Sequence, residues 1–303
     1  MNTSYVKIAV FGGSGFLGRY LVDELIRHRY QVTVYDRSPS GKIPDSASFI
    51  RIDILDRERI IEELFEKRYD VVYNLAGFAN LDQAVKFPYQ TMQLNVLGNI
   101  NILDGCVKAR VSRFVYASSA YAMSDKGSIY GISKLTSEKI VEEYAVKYGQ
   151  AFTILRYGSV YSEECFDNNY IYNLVETAIR TGKIEHPGDG SEIREYIHAS
   201  DAAKLSVDII EDESYKNIHV IFTGTEKMKR VELFEMINEI LGNKVEIGLK
   251  KSGYHHHYKF TPYSYTPTIS KKLVANPHVD MGQGIVECIK AVYKNNPELE
   301  IFV

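Results

Sequence analysis

The sequence predicts an α/β protein: a doubly wound parallel sheet with helices on both faces, followed by a smaller C-terminal domain. Three observations predict it. Apolar runs alternate with helix-period segments through the first 157 residues, the order that βαβ units produce. The first run, Ile8-Ala9-Val10-Phe11, is continuous rather than alternating, as a strand buried on both faces requires. It then breaks at once into Gly12, Gly13, Gly15 and Gly18.

The strands read at Lys7–Phe11, Gln31–Tyr35, Phe49–Ile52, Val71–Leu75, Arg113–Ala117 and Ala151–Arg156. Helices read at Gly15–His28, Arg57–Lys67, Gln90–Lys108 and Tyr130–Tyr148, where apolar residues recur at i, i+3 and i+4. Gly12 and Gly13 allow a tight turn, Gly15 lets a diphosphate approach the backbone, and Gly18 lets helix and strand pack closely. Phe16 and Leu17 open the helix whose N-terminal N–H groups would meet the phosphates. The second strand ends in Asp36, eighteen residues after Gly18, where an acid binds adenosine ribose hydroxyls. These parts predict a Rossmann-type dinucleotide site. Asp36 favours NAD by repelling a 2′-phosphate, and Arg37 beside it partly offsets that preference.

Further cofactor contacts are expected just after each strand. Asp53 and Ile54 follow the third strand; Asp53 reads equally as an adenine contact or as a helix-capping residue. Leu75, Ala76 and Gly77 are small enough to let the cofactor backbone pass. Asn95 interrupts an apolar helix face, and a buried Asn needs partners. It is read first as bonding the neighbouring strand, at the edge of the cofactor site.

Composition narrows the function. The 303 residues are 45% hydrophobic and 25% charged with a net charge of −3, which points to neither nucleic acid nor an anionic membrane as partner. No apolar run approaches the roughly 20 residues that span a bilayer, and the N-terminus runs straight into the first strand without a leader pattern. Cys106, Cys165 and Cys288 form no metal or CxxC pattern and read as reduced thiols of a cytoplasmic protein.

The fifth strand ends in Ser118-Ser119, and Tyr130-Gly131-Ile132-Ser133-Lys134 opens the next helix. Tyr130 and Lys134, four apart, share one helix face. A free phenol has a pKa of about 10, too high for a base at neutral pH. A nearby ammonium and a nicotinamide cation are expected to lower it. Lys134 can also hold the nicotinamide ribose, and a strand-end serine can share the substrate oxygen with Tyr130. Together they would take a proton from a carbinol while hydride leaves its carbon.

GGSGFLG, Asp36, the Ser-Ser strand end and YGISK resemble the extended short-chain dehydrogenase/reductases, specifically the NAD-dependent epimerase/dehydratase family acting on nucleotide sugars. LRYGSVY at 155–161 resembles that family's LRYxNVYG segment, and HPGDGSEIREYIHASD at 186–201 is similar to GDGxxxRDFIYVDD. The resemblance implies Tyr130 as general acid/base, Lys134 as its partner, Ser119 as the second hydroxyl and Ser118 beside the cofactor. It implies Arg194 on the substrate's pyrophosphate, unless Arg194 forms a salt bridge with Glu192 or Glu195. Tyr196, His198 and Asp201 are expected to be structural. Ser159 stands at the family's Asn. His255-His256-His257 and Lys259 occupy the region of a second phosphate-binding arginine. His256 is taken as lining the substrate site or as part of a solvated loop. Metal ligation is disfavoured because adjacent side chains on an extended segment diverge.

Ala120 and Tyr121 stand where 4,6-dehydratases carry acidic residues, so dehydration is not expected. Only eleven residues separate Ser119 from Tyr130, a shortened lid. The resemblance thus implies an NAD-dependent nucleotide-sugar epimerase, a 4-keto-sugar reductase or dehydrogenase being the alternative and a non-catalytic dinucleotide sensor the rival of another class. It also implies a homodimer paired through the Gln90–Lys108 and Tyr130–Tyr148 helices. The expected organisation is an NAD-binding domain over 1–157 and a mainly substrate-binding domain over 158–303, with segments near 196–225 returning to the first. The later elements read as helix Ala202–Ile210, strand Ile218–Phe222, helix Arg230–Leu241, an irregular Tyr254–Thr268 run and a helix near Gly284–Tyr293.

Overall fold

The computed structural model describes residues 6–39, 43–250, 257–262 and 271–299. Its first half runs β1 (Lys7–Phe11), α1 (Phe16–Arg27), β2 (Gln31–Asp36), β3 (Ser48–Arg51), α2 (Arg57–Lys67) and β4 (Val71–Asn74). Then follow α3 (Leu81–Lys86), α4 (Pro88–Met92), α5 (Gly98–Ala109), β5 (Arg113–Ser119), α6 (Ser128–Tyr148) and β6 (Phe152–Tyr157). The second half contains β7 (Ser159–Tyr161), α7 (Tyr170–Thr181), β8 (Lys183–His186), β9 (Ile193–Arg194), β10 (Tyr196–His198) and α8 (Ala199–Glu211). It ends with β11 (Ile218–Phe222), β12 (Met228–Lys229), α9 (Arg230–Ile240), β13 (Glu246–Leu249), β14 (Lys271–Leu273) and α10 (Met281–Asn295).

Eight strands form one parallel sheet in the order β14-β11-β6-β5-β4-β1-β2-β3. The chain winds outward from β1 through β2 and β3, then returns to β4 on the other side. That reversal opens a crevice at the carboxyl ends of β1 and β4, where ligands of doubly wound sheets bind. Leu21, Val22 and Leu25 of α1 and Leu205 and Ile209 of α8 cover one face. Ile60 and Leu64 of α2, Ile102 and Leu103 of α5 and Val141 of α6 cover the other. A separate apolar cluster joins α7, α9 and α10 through Ile171, Val175, Phe234, Ile237 and Ile285.

Three departures from the sequence reading have physical causes. The continuous helix expected over Gln90–Lys108 is broken: Pro88 starts α4, and Gln93–Leu97 forms a π-helical turn before α5. That turn holds Asn95, whose carbonyl accepts a bond of 2.7 Å from Ser137 Oγ on α6. Strand β14 was not expected, because Lys271-Lys272-Leu273 offers one apolar residue and no alternation; it is an edge strand held by backbone pairing to β11. Helix α7 was also missed; buried Asn169 caps it by accepting from Tyr172 N.

Candidate active site

The crevice is a cleft of about 380 Å³. Gly12, Gly15, Phe16, Leu17 and Gly18 line its start. Gly12 has φ +78°, and a Cβ there would stand 2.6 Å from Ala76 N. A Cβ on Gly18 would lie 2.2 Å from Gly12 O, so the close packing of turn and helix depends on that glycine. No side chain caps the N-terminus of α1, leaving its first N–H groups for an anion.

Asp36 and Arg37 close this end of the cleft. The Asp36 carboxylate accepts from Ser14 N at 3.3 Å and from Arg37 N at 2.8 Å, which fixes its orientation. Ile54, Leu75, Ala76 and Gly77 line the walls as expected. Asp53 does not: it is exposed, and its Oδ1 accepts from Leu55 N at 2.9 Å in a local turn, while Asp56 rather than Asp53 caps α2. Tyr35, Leu94, Ala117, Tyr157, Val160 and Asn168 complete the cleft. Tyr35, Ala117 and Tyr157 stand near strand ends, a signal that Leu94 and Asn168 lack.

Asn95 faces away from the role of cofactor contact. Its Oδ1 accepts from Phe78 N at 2.6 Å, and its Nδ2 donates to Phe78 O at 3.1 Å and Ser133 Oγ at 2.9 Å. The partner is the loop after β4 rather than a strand. Ser133 lies between Tyr130 and Lys134, so Asn95 fastens the cleft wall to the helix that carries both.

Tyr130, Lys134 and Ser119 all line the same cleft. Gly127, at φ +93°, starts α6, and Tyr130 packs against Leu81 and Ala84 of α3. Lys134 Nζ donates to Ala117 O at 2.8 Å and lies 5.9 Å from the Tyr130 ring centroid. One of its three N–H donors is thereby used, leaving two for a ligand. Ser119 ends β5, where its Oγ accepts from Tyr121 N at 3.3 Å.

Burial governs the protonation of this pair. It pushes the Tyr130 phenol up to about 12, against the lowering pull of a hydrogen bond with Ser119, and the Tyr258 phenol adds to the rise. Burial likewise pulls the Lys134 ammonium down to about 8, opposed by the Glu138 carboxylate. Burial is thus the largest influence on the phenol, and it opposes the lowering that a neighbouring ammonium and a nicotinamide cation are expected to bring.

Ser118 is at the cleft surface, but its hydroxyl donates to Glu138 Oε1 at 2.5 Å. Fully buried Glu138 also receives Arg156 Nε at 2.9 Å and Nη2 at 2.7 Å. This buried pair ties α6 to β5 and β6 beneath the site.

Beyond Tyr130, Arg194 of β9 is 1% exposed. Its Nη1 donates to Ile193 O, its guanidinium lies 4.1 Å over the Tyr258 ring, and Nη2 has no partner among the described residues. The salt-bridge alternative fails: Glu192 meets His186 at 3.1 Å, and Glu195 meets Lys272 at 2.7 Å. Arg230, named from the sequence only as the start of a helix, is buried with its guanidinium 3.9 Å over Tyr170. Both arginines act on Tyr170, Tyr196 and His257. Their convergence makes this end of the molecule strongly positive.

His257 shares a 2.6 Å bond between Nδ1 and Tyr121 OH, with Asp82 3.5 Å from Nε2. Burial and the two arginines, opposed by Asp82, bring it down to about 4, so it is neutral at pH 7. His255 and His256 lie outside the described residues. Ser159 is half-buried in β7, paired with Tyr196 of β10, and is not in the cleft wall. His198 bonds Glu163 at 3.0 Å and Asp201 accepts from Val279 N, structural roles as expected. No cluster of metal-ligating side chains occurs among the described residues.

A family model described as NAD dependent epimerase/dehydratase family matches residues 8–221. The chain belongs to that family. Among its members, a Methanocaldococcus jannaschii protein that carries a provisional UDP-glucose 4-epimerase name is 29% identical, covering 95% of this chain and 99% of its own. The UDP-glucose 4-epimerase of Thermotoga maritima, solved with UDP-glucose, is 25% identical with a TM-score of 0.82 over 96% of this chain and 99% of that one. The UDP-glucuronic acid 4-epimerase of Bacillus cereus, solved with UDP-glucuronic acid and NAD, shares the fold at a TM-score of 0.83, 21% identity and coverage of 96% and 100%. Among the described residues no helix is long and apolar enough to cross a membrane.

Proposed function

We propose that this protein is an NAD-dependent nucleotide-sugar epimerase that inverts a sugar carbon, most simply C4, through a transient ketone. One observation carries the reading: Tyr130, Lys134 and Ser119 meet in the cleft whose far end is the glycine turn and Asp36. The residues fit a dinucleotide, because any Cβ at Gly12 or Gly18 would obstruct the turn that presents the helix N–H groups. When bound, the oxidised nicotinamide supplies a positive charge and a reversible hydride acceptor.

The chain's own groups do the rest. Tyr130 takes the proton of the sugar hydroxyl and later returns it to the ketone oxygen. Ser119 donates to that same oxygen and limits the charge that develops on it. Lys134 offers its two remaining N–H donors to ribose hydroxyls and keeps an ammonium near the phenol. Arg194, with Nη2 to spare, holds the diphosphate by paired charge-assisted bonds. Dehydration lacks a carboxyl group, since Ala120 and Tyr121 occupy the relevant positions and Tyr121 OH is engaged by His257.

Residues 1–157 serve the dinucleotide and 158–303 mainly the substrate, with 196–225 returning to the first part. Two chains pair through α5 and α6 in the cytoplasm. Supporting that pairing, Leu97, Ile132 and Leu135 are 51%, 55% and 42% exposed near those helices, apolar side chains that a partner helix would cover. Sedimentation at micromolar concentration tests the dimer. Incubating enzyme with UDP-, GDP-, CDP- and dTDP-sugars tests the reaction: the inverted sugar should form with no net NAD(P)H. Stoichiometric NAD(P)H consumption or release would instead identify a reductase or dehydrogenase.

A further inference from the structure

The segment Ser162–Asn169, between β7 and α7, lies against the first turn of α1. Phe166 packs on Phe16 with ring centroids 5.5 Å apart. Arg19 spans both parts: its guanidinium lies 5.4 Å from the Phe166 ring and its Nη1 3.1 Å from Glu164 Oε2. Asn168 belongs to the cleft wall together with Gly12, Gly15 and Phe16.

This segment is internally braced. Fully buried Asn169 donates through Nδ2 to Ser162 O and Glu164 O, both at 2.7 Å. Asn173 donates to Phe166 O and Asp167 O at 3.3 and 3.0 Å. Glu163 is anchored to His198 of β10. A loop so tied has its own shape. Tyr20 of α1 faces Ser162 and Glu163 at its base, while Phe166 and Glu164 carry contacts from its tip to α1. Those contacts sit beside the helix N-terminus that would receive the cofactor's diphosphate.

We propose that Ser162–Asn169 is a strap whose latch, Phe166 on Phe16 and Glu164 on Arg19, sets the rate at which the dinucleotide enters and leaves. The inference rests on the dinucleotide reading and holds for epimerase or reductase alike. A strap of this kind acts on both association and dissociation, because it must lift for either. It thereby keeps the same cofactor in place through many turnovers.

The test uses the full chain loaded with radiolabelled NAD and chased with excess unlabelled NAD. Phe166→Ala should release label at least tenfold faster, with association accelerated as well, so that Kd changes less than either rate. An Arg19→Met/Glu164→Gln double variant, which leaves the apolar contact in place, should release it about threefold faster. It should also lose the salt sensitivity of release shown by the natural protein. If Phe166→Ala fails to fold, the double variant decides alone. Release at the natural rate from folded variants that still bind NAD overturns the strap, as does faster release with slower association. A natural protein that binds no dinucleotide overturns the functional reading as well.

Discussion

Replacing Lys134 with methionine should make the cofactor-stripped protein more stable while destroying its activity. Burial holds the ammonium near 8 instead of its ordinary 10.5. Each tenfold change in proton affinity is about 1.4 kcal/mol, so keeping that charge in the folded cleft at pH 7 costs about 3 kcal/mol relative to the unfolded chain. Methionine has a similar length and no charge. It forfeits the bond to Ala117 O, a loss of about 1 kcal/mol, for a net gain of about 2 kcal/mol. The pH dependence has a definite sign. Below pH 8 both states hold the proton and the full cost is present; between 8 and 10.5 the unfolded chain binds more protons than the fold, so natural stability from this group rises. Urea unfolding of both proteins should therefore show Lys134→Met ahead by about 2 kcal/mol at pH 7 and level with the natural protein at pH 10. A variant less stable at pH 7, or a difference that ignores pH, would refute the account of a desolvated ammonium.

Other outcomes follow from the same geometry. Tyr130→Phe keeps the ring against Leu81 and Ala84 and should lower kcat by about 10²- to 10⁴-fold, with the NAD Kd from calorimetry within about threefold. Asn95→Ala leaves Phe78 N buried without its acceptor and frees Ser133; urea unfolding should show a loss of about 2–3 kcal/mol, and steady-state assays a lower kcat. Asp36→Asn removes the charge and keeps one of the two acceptor oxygens that Ser14 N and Arg37 N now use. The ratio of NADP to NAD dissociation constants should fall by about fivefold, the effect of roughly 1 kcal/mol of repulsion at a partly exposed site.

The sequence revealed what depends on local conformation. Gly12 and Gly18 were readable because a positive φ and a contact under 3 Å exclude other residues. Continuous apolar runs located the central strands, since two-sided burial leaves no place for polar alternation. Hidden features share a different origin, contacts between residues distant in the chain. Asn95 announced a need for partners without naming Phe78 and Ser133. Arg230 carried no signal of its burial because nothing local shows Tyr170 stacked beneath it. Lys271–Leu273 lacks any strand pattern because backbone pairing alone recruits it to the sheet edge.

The same distinction bears on the Tyr130 phenol. Four residues on a helix guarantee that Tyr130 and Lys134 are neighbours, and neighbouring opposite charges attract. Spacing is silent about how much water remains around them. Here both side chains are less than 9% exposed, and lost hydration is the largest influence on each. Phenol and amine are therefore each driven toward neutrality. A site built this way spends no stability on a standing phenolate, and it leaves the phenol responsive to positive charge brought in by a ligand. Under the proposed reaction, activation of Tyr130 would then be conditional on what fills the cleft, confining proton removal to the complex in which a hydride acceptor is also present.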